Sequence, residues 1–198
     1  MRFFRRFPVL SYPSILFLAA LVPACLGCSS GTSTSAGSKE ASPPEKVSAV
    51  FAPKDGEESQ VVRLDFALPN ALGGGNVDLG RFDGTIRVVD FWATWCPPCR
   101  TAIPWLNKLH RTYKDRGVSI VGVSVDENPK ALAGFDQEVH IEYASLLSSE
   151  QAEKAFGGIF GLPTTFVLDR QGKVYRSYVG EVDHDELEAD IQALLAVR

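Results

Sequence analysis

The apolar run Ile86-Arg87-Val88-Val89-Asp90-Phe91-Trp92 leads, after a short connection, into Trp95-Cys96-Pro97-Pro98-Cys99. The run has the composition of a buried central strand, and prolines are well tolerated in the first turn of a helix. A strand therefore gives way to a helix at the first cysteine. That order restricts the chain to an α/β layout with the two thiols at the strand-to-helix junction. A thiol at the positive end of a helix is stabilised as thiolate, and a second thiol three positions on can close a small ring with it.

The chain has 198 residues, enough to build a core without staples. Its four cysteines fall as two C-x-x-C pairs, Cys25/Cys28 and Cys96/Cys99. The second pair is therefore free to be chemical. Zinc would need two more ligands, and His110, His140 and His184 are scattered, so no metal and no other cofactor is expected. The net charge is −4, or −7 without the three arginines of the first 27 residues. An acidic domain lacking a basic run is a poor nucleic-acid binder.

Residues 1–28 read as an export signal. Arg2, Arg5 and Arg6 precede an apolar stretch through Ile15–Val22, then small residues and a cysteine. The pattern resembles a bacterial lipoprotein signal, with Cys28 as the lipidation candidate and Cys25 as the alternative. A retained membrane helix fits less well, because Pro13 and Pro23 interrupt a stretch short of the ~20 residues a span needs. Residues 29–56, rich in Ser, Gly and Pro, read as a flexible tether. Residues 57–198 are assigned to one domain.

Within that domain the pattern predicts strands over Val61–Phe66 and Val77–Leu79, separated by Gly73-Gly74-Gly75-Asn76. A central strand Ile86–Trp92 follows, then a helix from Pro97 to Arg116 that Pro104 should kink. Its apolar face is Ile103, Leu106, Leu109 and Tyr113. Further elements are a strand Val118–Val125, a helix Pro129–Phe135, an extended Tyr143–Leu147 and a helix Glu150–Phe156. Strands Thr164–Leu168 and Lys173–Val179 flank a Gly172 turn, and a last helix is capped by Asp183.

Three segments carry a family resemblance: Val89–Arg100 with the tryptophan-flanked cysteine pair, Val121-Gly122-Val123-Ser124-Val125-Asp126, and Gly161-Leu162-Pro163-Thr164-Thr165-Phe166. From about Asp65 onward the chain resembles the TlpA/ResA-like branch of the thioredoxin superfamily. The resemblance implies a thioredoxin-like α/β fold, a mixed sheet flanked by helices, with an N-terminal β-hairpin extension. It implies that Cys96 is the nucleophile and Cys99 the resolving thiol. Asp90 is implied to be the buried acid that takes the Cys99 proton, and Pro163 a cis-proline facing the site. Trp95, Pro97 and Leu162 are the candidate substrate contacts, and Ile159 a further part of an apolar collar. Two positions depart from the family. Ala102 stands where many relatives place an acid, three residues past the second cysteine, and Gly122 where thioredoxins keep a lysine.

These residues point to an extracytoplasmic thiol–disulfide oxidoreductase that reduces protein disulfides, and the resemblance implies cytochrome c maturation as one example of its use. It would act as a monomer held to the membrane by its lipid, fed by a membrane thiol carrier of the DsbD/CcdA kind. The direction follows from Pro97 and Pro98, which lack the N–H donors that solvate a thiolate. The alternatives are an oxidant or isomerase and, less well matched, a peroxidase or a copper chaperone on the same scaffold.

Overall fold

Strand β4 (Ile86–Trp92) is buried along its whole length, and the remaining elements are arranged around it. The computed structural model describes residues 49–51 and 61–197. Readings placed on residues 1–48 and 52–60, which include the export signal, Cys25, Cys28 and most of the tether, lie outside the described residues.

In chain order the elements are β1 (Ala49–Phe51), β2 (Ala67–Pro69), β3 (Asn76–Asp78), β4, α1 (Pro97–Tyr113), β5 (Val118–Ser124), α2 (Pro129–Val139), β6 (Ala144–Leu147), α3 (Glu150–Ala155), β7 (Thr164–Leu168), β8 (Val174–Val179) and α4 (His184–Ala196). The main sheet has the order β1-β8-β7-β4-β5-β6. Strands β4, β5 and β6 are parallel, and β7, β8 and β1 each run antiparallel to the preceding neighbour. This is the thioredoxin-like mixed sheet. Strands β2 and β3 form a separate antiparallel hairpin, the expected N-terminal extension.

Alternation along β4 divides the core into two layers. Ile86, Val88 and Trp92 face α1, α2 and α4, meeting Ile103, Leu106, Leu109, Leu132, Leu187 and Ile191. Val89 and Phe91 face the opposite way, toward Phe156, Phe166 and the buried Val62, Leu64 and Leu68. Asp90 lies on the α1 side by the same parity. It is in register with Gly122 of β5 and Thr165 of β7, and Gly122 is in register with Ser145 of β6.

The local signals that build α1 are visible in its ends. Cys96 is the N-cap, Pro97 and Pro98 occupy the first turn, and a short 3-10 turn runs into Gly117 at φ 81°. Only glycine takes that left-handed conformation without steric cost. The helix continues through Pro104 as one element.

Several elements differ from the sequence reading, most of all at the following places. Val61–Phe66 is not a strand. Val61 makes one isolated bridge to Lys173 and Val62 N–H donates to Gly172 O, and the pairing stops there. The alternating apolar residues bury Val62 and Leu64 against the sheet face, but no neighbour offers a ladder. The first hairpin strand is instead Ala67–Pro69, and its partner ends at Asp78, which caps a 3-10 turn over Leu79–Phe82. Helix α2 extends past Phe135 to Val139, because Asp136 O and Oδ1 accept from His140 N and Ile141 N and close the last turn. Finally, Ala49–Phe51, within the span read as tether, pairs with β8.

Candidate active site

Cys96 and Cys99 are joined as a disulfide, with Cα atoms 5.3 Å apart. Cys99 N–H donates to Cys96 Sγ at 3.3 Å. Pro97 and Pro98 contribute no N–H, so Cys99 supplies the sulfur's hydrogen bond from the first helical turn. Cys99 lies deeper, under Cys96, which lines an open groove.

The loop bearing Cys96 is held by Asp126, just past the end of β5. Thr94 N–H donates to Asp126 Oδ2 at 2.8 Å, Thr94 Oγ1 to Oδ1 at 2.7 Å and Ser124 Oγ to Oδ2 at 2.7 Å. Val125 N–H donates to Trp92 O, tying the same two strand ends through the backbone. The sequence reading quoted Asp126 within a motif but gave it no role. Its signal was available: a carboxylate directly after a parallel strand that ends beside the cysteine loop.

The groove around Cys96 has a volume of about 490 Å³. It brings together Trp95, Pro97, Leu162 and Ile159, all anticipated, with Phe160 and Glu153, which were not. Trp95 is 67% exposed and Phe160 95%. An aromatic ring left so fully in water beside a reactive sulfur is a feature that no periodicity marks, since Phe160 sits in the loop before β7. Glu153 reaches the groove from α3 and accepts from Ser148 Oγ.

Pro163, which follows a cis peptide bond from Leu162, is buried and opens β7. It faces a second, more enclosed cavity of about 150 Å³ shared with Asp90, Pro98, Thr101 and Ala102. Asp90 therefore shares a cavity with α1 residues on both chain sides of Cys99. It is 2% exposed and accepts one hydrogen bond, from Thr165 Oγ1 at 2.8 Å. Burial pushes its carboxyl up to about 7, against the smaller opposing pull of the Thr165 hydroxyl.

At the position where thioredoxins keep a lysine, Gly122 leaves a notch filled by neighbours. A Cβ there would lie 3.0 Å from Tyr143 Cε2 and 3.1 Å from Trp92 Nε1. The Tyr143 phenol is itself pushed well up by burial and by the Asp90 charge. Asp90 thus has an aromatic hydroxyl near it in place of a cation. Among the described residues, no cluster of three His, Cys, Asp or Glu side chains forms a metal-binding set.

The chain is similar to known proteins. A sequence model of the redoxin family matches residues 56–195. The chain is 30% identical over 123 residues to the thiol-disulfide oxidoreductase ResA of Bacillus thuringiensis (strain Al Hakam), covering 62% of this chain and 71% of that protein. It is 33% identical over 142 residues to the thiol:disulfide interchange protein HelX of Rhodobacter capsulatus, covering 71% and 77%. A crystal structure of a Chlorobium tepidum protein assigned as the thiol:disulfide interchange protein DsbE superposes with a TM-score of 0.65 at 34% identity, covering 71% of this chain and 99% of that one. With a bridged cysteine pair at the start of α1, a buried acid in the strand before it and relatives of this kind, the chain belongs to the redoxin family as a thiol–disulfide oxidoreductase of the TlpA/ResA type.

Proposed function

We propose that the protein is an exported reductant of protein disulfides. In the dithiol form, Cys96 thiolate attacks a substrate disulfide and forms a mixed disulfide, releasing one substrate thiolate. Cys99 gives its proton to Asp90, attacks Cys96 Sγ and releases the second substrate thiolate, leaving Cys96–Cys99 bridged. A carboxyl with a pKa near 7 is suited to accept and return a proton at neutral pH. Trp95, Pro97, Leu162 and the loop at Pro163 receive an extended polypeptide beside the sulfur.

One observation supports the reducing direction above others. The prolines strip two N–H donors from the helix start, and Cys99 N–H remains for the Cys96 sulfur. Glu153 adds a carboxyl side chain to the same groove. Fewer donors, in a groove whose lining among the described residues holds no Lys, Arg or His, leave the thiolate less stabilised, which lowers the reduction potential of the pair.

The finer assignments belong to the same reading. Cys28, or alternatively Cys25, carries the lipid, and the folded domain acts as a monomer on the outer side of the membrane. A membrane thiol carrier of the DsbD/CcdA kind re-reduces it, and cysteines of apocytochrome c are one substrate class. Two assays test the core of the proposal. Insulin reduction should be abolished by Cys96→Ser, and Cys99→Ser should trap mixed disulfides that identify the partner. The reduction potential should lie nearer thioredoxin's value of about −270 mV than the about −120 mV of DsbA; a value above about −180 mV would assign an oxidant or isomerase instead.

A further inference from the structure

The groove beside Cys96 is lined mainly from two chain segments, Trp95–Pro98 at the start of α1 and Ile159–Leu162 in the loop before β7. Its apolar surface suits a polypeptide but does not say which polypeptide. The discriminating group is Glu153 of α3. Apart from the reacting Cys96, every other described residue lining the groove is uncharged.

Glu153 is tied into the wall through main chain and side chain. Its carbonyl oxygen accepts from Gly158 N–H at 2.8 Å, closing the turn that leads to Ile159 and Phe160. Its Oε1 accepts from Ser148 Oγ at 3.0 Å. A carboxylate accepts more than one hydrogen bond, so Glu153 keeps capacity for a donor arriving in the groove. Its half-buried setting strengthens an ion pair relative to one fully in water. Nearby cations are engaged elsewhere. Lys154 Nζ donates to Glu150 Oε1 at 2.6 Å, and Arg100 lies over the Phe135 ring, 5.1 Å from its centroid. Asp126, next to the lining Val125, has the same sign as Glu153.

The exposed rings supply the second observation. Phe160 lies in water, yet its ring folds back on the turn: a Cβ on Gly158 would lie 3.1 Å from Phe160 Cζ, and Gly158 itself sits at φ 95°, where glycine is at ease. The faces of Trp95 and Phe160 attract cations through their quadrupoles. A lysine or arginine side chain joins an apolar stem to a charged head, and so matches a groove of apolar walls, open ring faces and one carboxylate. An acidic side chain in the same place meets like charge.

We propose that this groove selects polypeptide disulfides that carry a lysine or arginine close to the reacting cysteine, with Glu153 pairing the charge and Trp95 and Phe160 receiving the stem. The inference rests on the reading of the groove as the polypeptide site. The same carboxylate disfavours anionic disulfides, glutathione disulfide among them.

Stopped-flow oxidation of the dithiol full chain by peptides holding one internal disulfide tests this. The peptides differ only in the residue one, two or three positions from a cysteine, which is lysine, glutamine or glutamate. Each second-order rate constant is divided by that of the same peptide with dithiothreitol, which removes the peptide's own reactivity. The lysine-to-glutamate ratio should reach about tenfold at the best position and fall at least about twofold when salt is raised to about 0.5 M. Glu153→Gln keeps an acceptor for Ser148 Oγ and should cut the ratio to about threefold or less, and Glu153→Lys should invert it. Because the ratio is taken within one protein, any change in the reactivity of Cys96 cancels. Phe160→Ala should lower the lysine-to-glutamine ratio about twofold. Equal normalised rates for the three residues at every position overturn the proposal, as does a preference that survives unchanged in both Glu153 variants. Failure of the reductant reading looks different: no peptide, glutamine included, would then be reduced to completion.

Discussion

Replacing Asp90 by Asn isolates the energetic consequence of burying an acid in the sheet centre. Asparagine is close in shape to the protonated carboxyl but cannot ionise. In the native state burial holds the carboxyl up to about 7, whereas an unfolded aspartate titrates near 3.8. The native state therefore binds more protons than the unfolded state between those values, and stability falls as pH rises through the window. Below about pH 4 both states carry the proton and burial imposes no ionisation cost; above about pH 7 the cost is complete. A displacement of about three pH units, at about 1.4 kcal/mol each, sets a ceiling of roughly 4 kcal/mol. Urea unfolding of the disulfide-bonded protein and of Asp90→Asn, at intervals from pH 4 to 8.5, measures it. Any fixed penalty of the amide, such as an altered bond to Thr165, is the same at every pH. The difference between the two proteins should move in favour of Asn by up to about 4 kcal/mol across the window. A difference that stays flat with pH, or that favours Asp as pH rises, refutes the reasoning.

Three further outcomes follow from the site's surroundings. Asp126→Ala removes the two hydrogen bonds that hold the cysteine loop to the end of β5 and a third, local one from Ser124, and should cost about 2–3 kcal/mol in chemical denaturation while slowing insulin reduction. Gly122→Ala places a methyl group 3.0 Å from the Tyr143 ring and 3.1 Å from Trp92 Nε1, and should destabilise by about 1–3 kcal/mol; an unchanged unfolding midpoint would mean that the notch is open. Phe160→Ala, at a side chain 95% exposed, should leave stability within about 0.5 kcal/mol and raise the KM for polypeptide disulfides, with reduction of a small disulfide unaffected.

The parts of this structure that were legible in the sequence are those whose signal is local. The α1 face at Ile103, Leu106, Leu109 and Tyr113 follows from helical spacing, and β7 from a β-branched and aromatic run bounded by Pro163 and a turn. The bridged thiols follow from their separation at a helix start. Tyr143, Phe160 and Glu153 were not legible as parts of the site, because each reaches it through the packing of another element. The influence of the Asp90 charge on Tyr143 depends on three strands lying in register across Asp90, Gly122 and Ser145. Val61–Phe66 shows the opposite limit. Its alternation correctly marks which residues bury, but a strand needs a neighbour with free backbone groups, and the segment has one bridge partner only. Pairing of Ala49–Phe51 was equally hidden, since three residues in a Ser- and Pro-rich context carry too little pattern to separate from a tether.

The antiparallel seating of β1 on β8 has a practical corollary. Ala49 is level with Val179, Thr164 and Phe91, at the pole of the sheet where Cys96 emerges. The carboxyl terminus is fastened at the other pole, where Arg170 donates to Leu194 O and Val197 O beyond the end of β7. A fusion partner or purification tag joined after residue 198 therefore projects away from the reactive sulfur, by about 17 Å of strand.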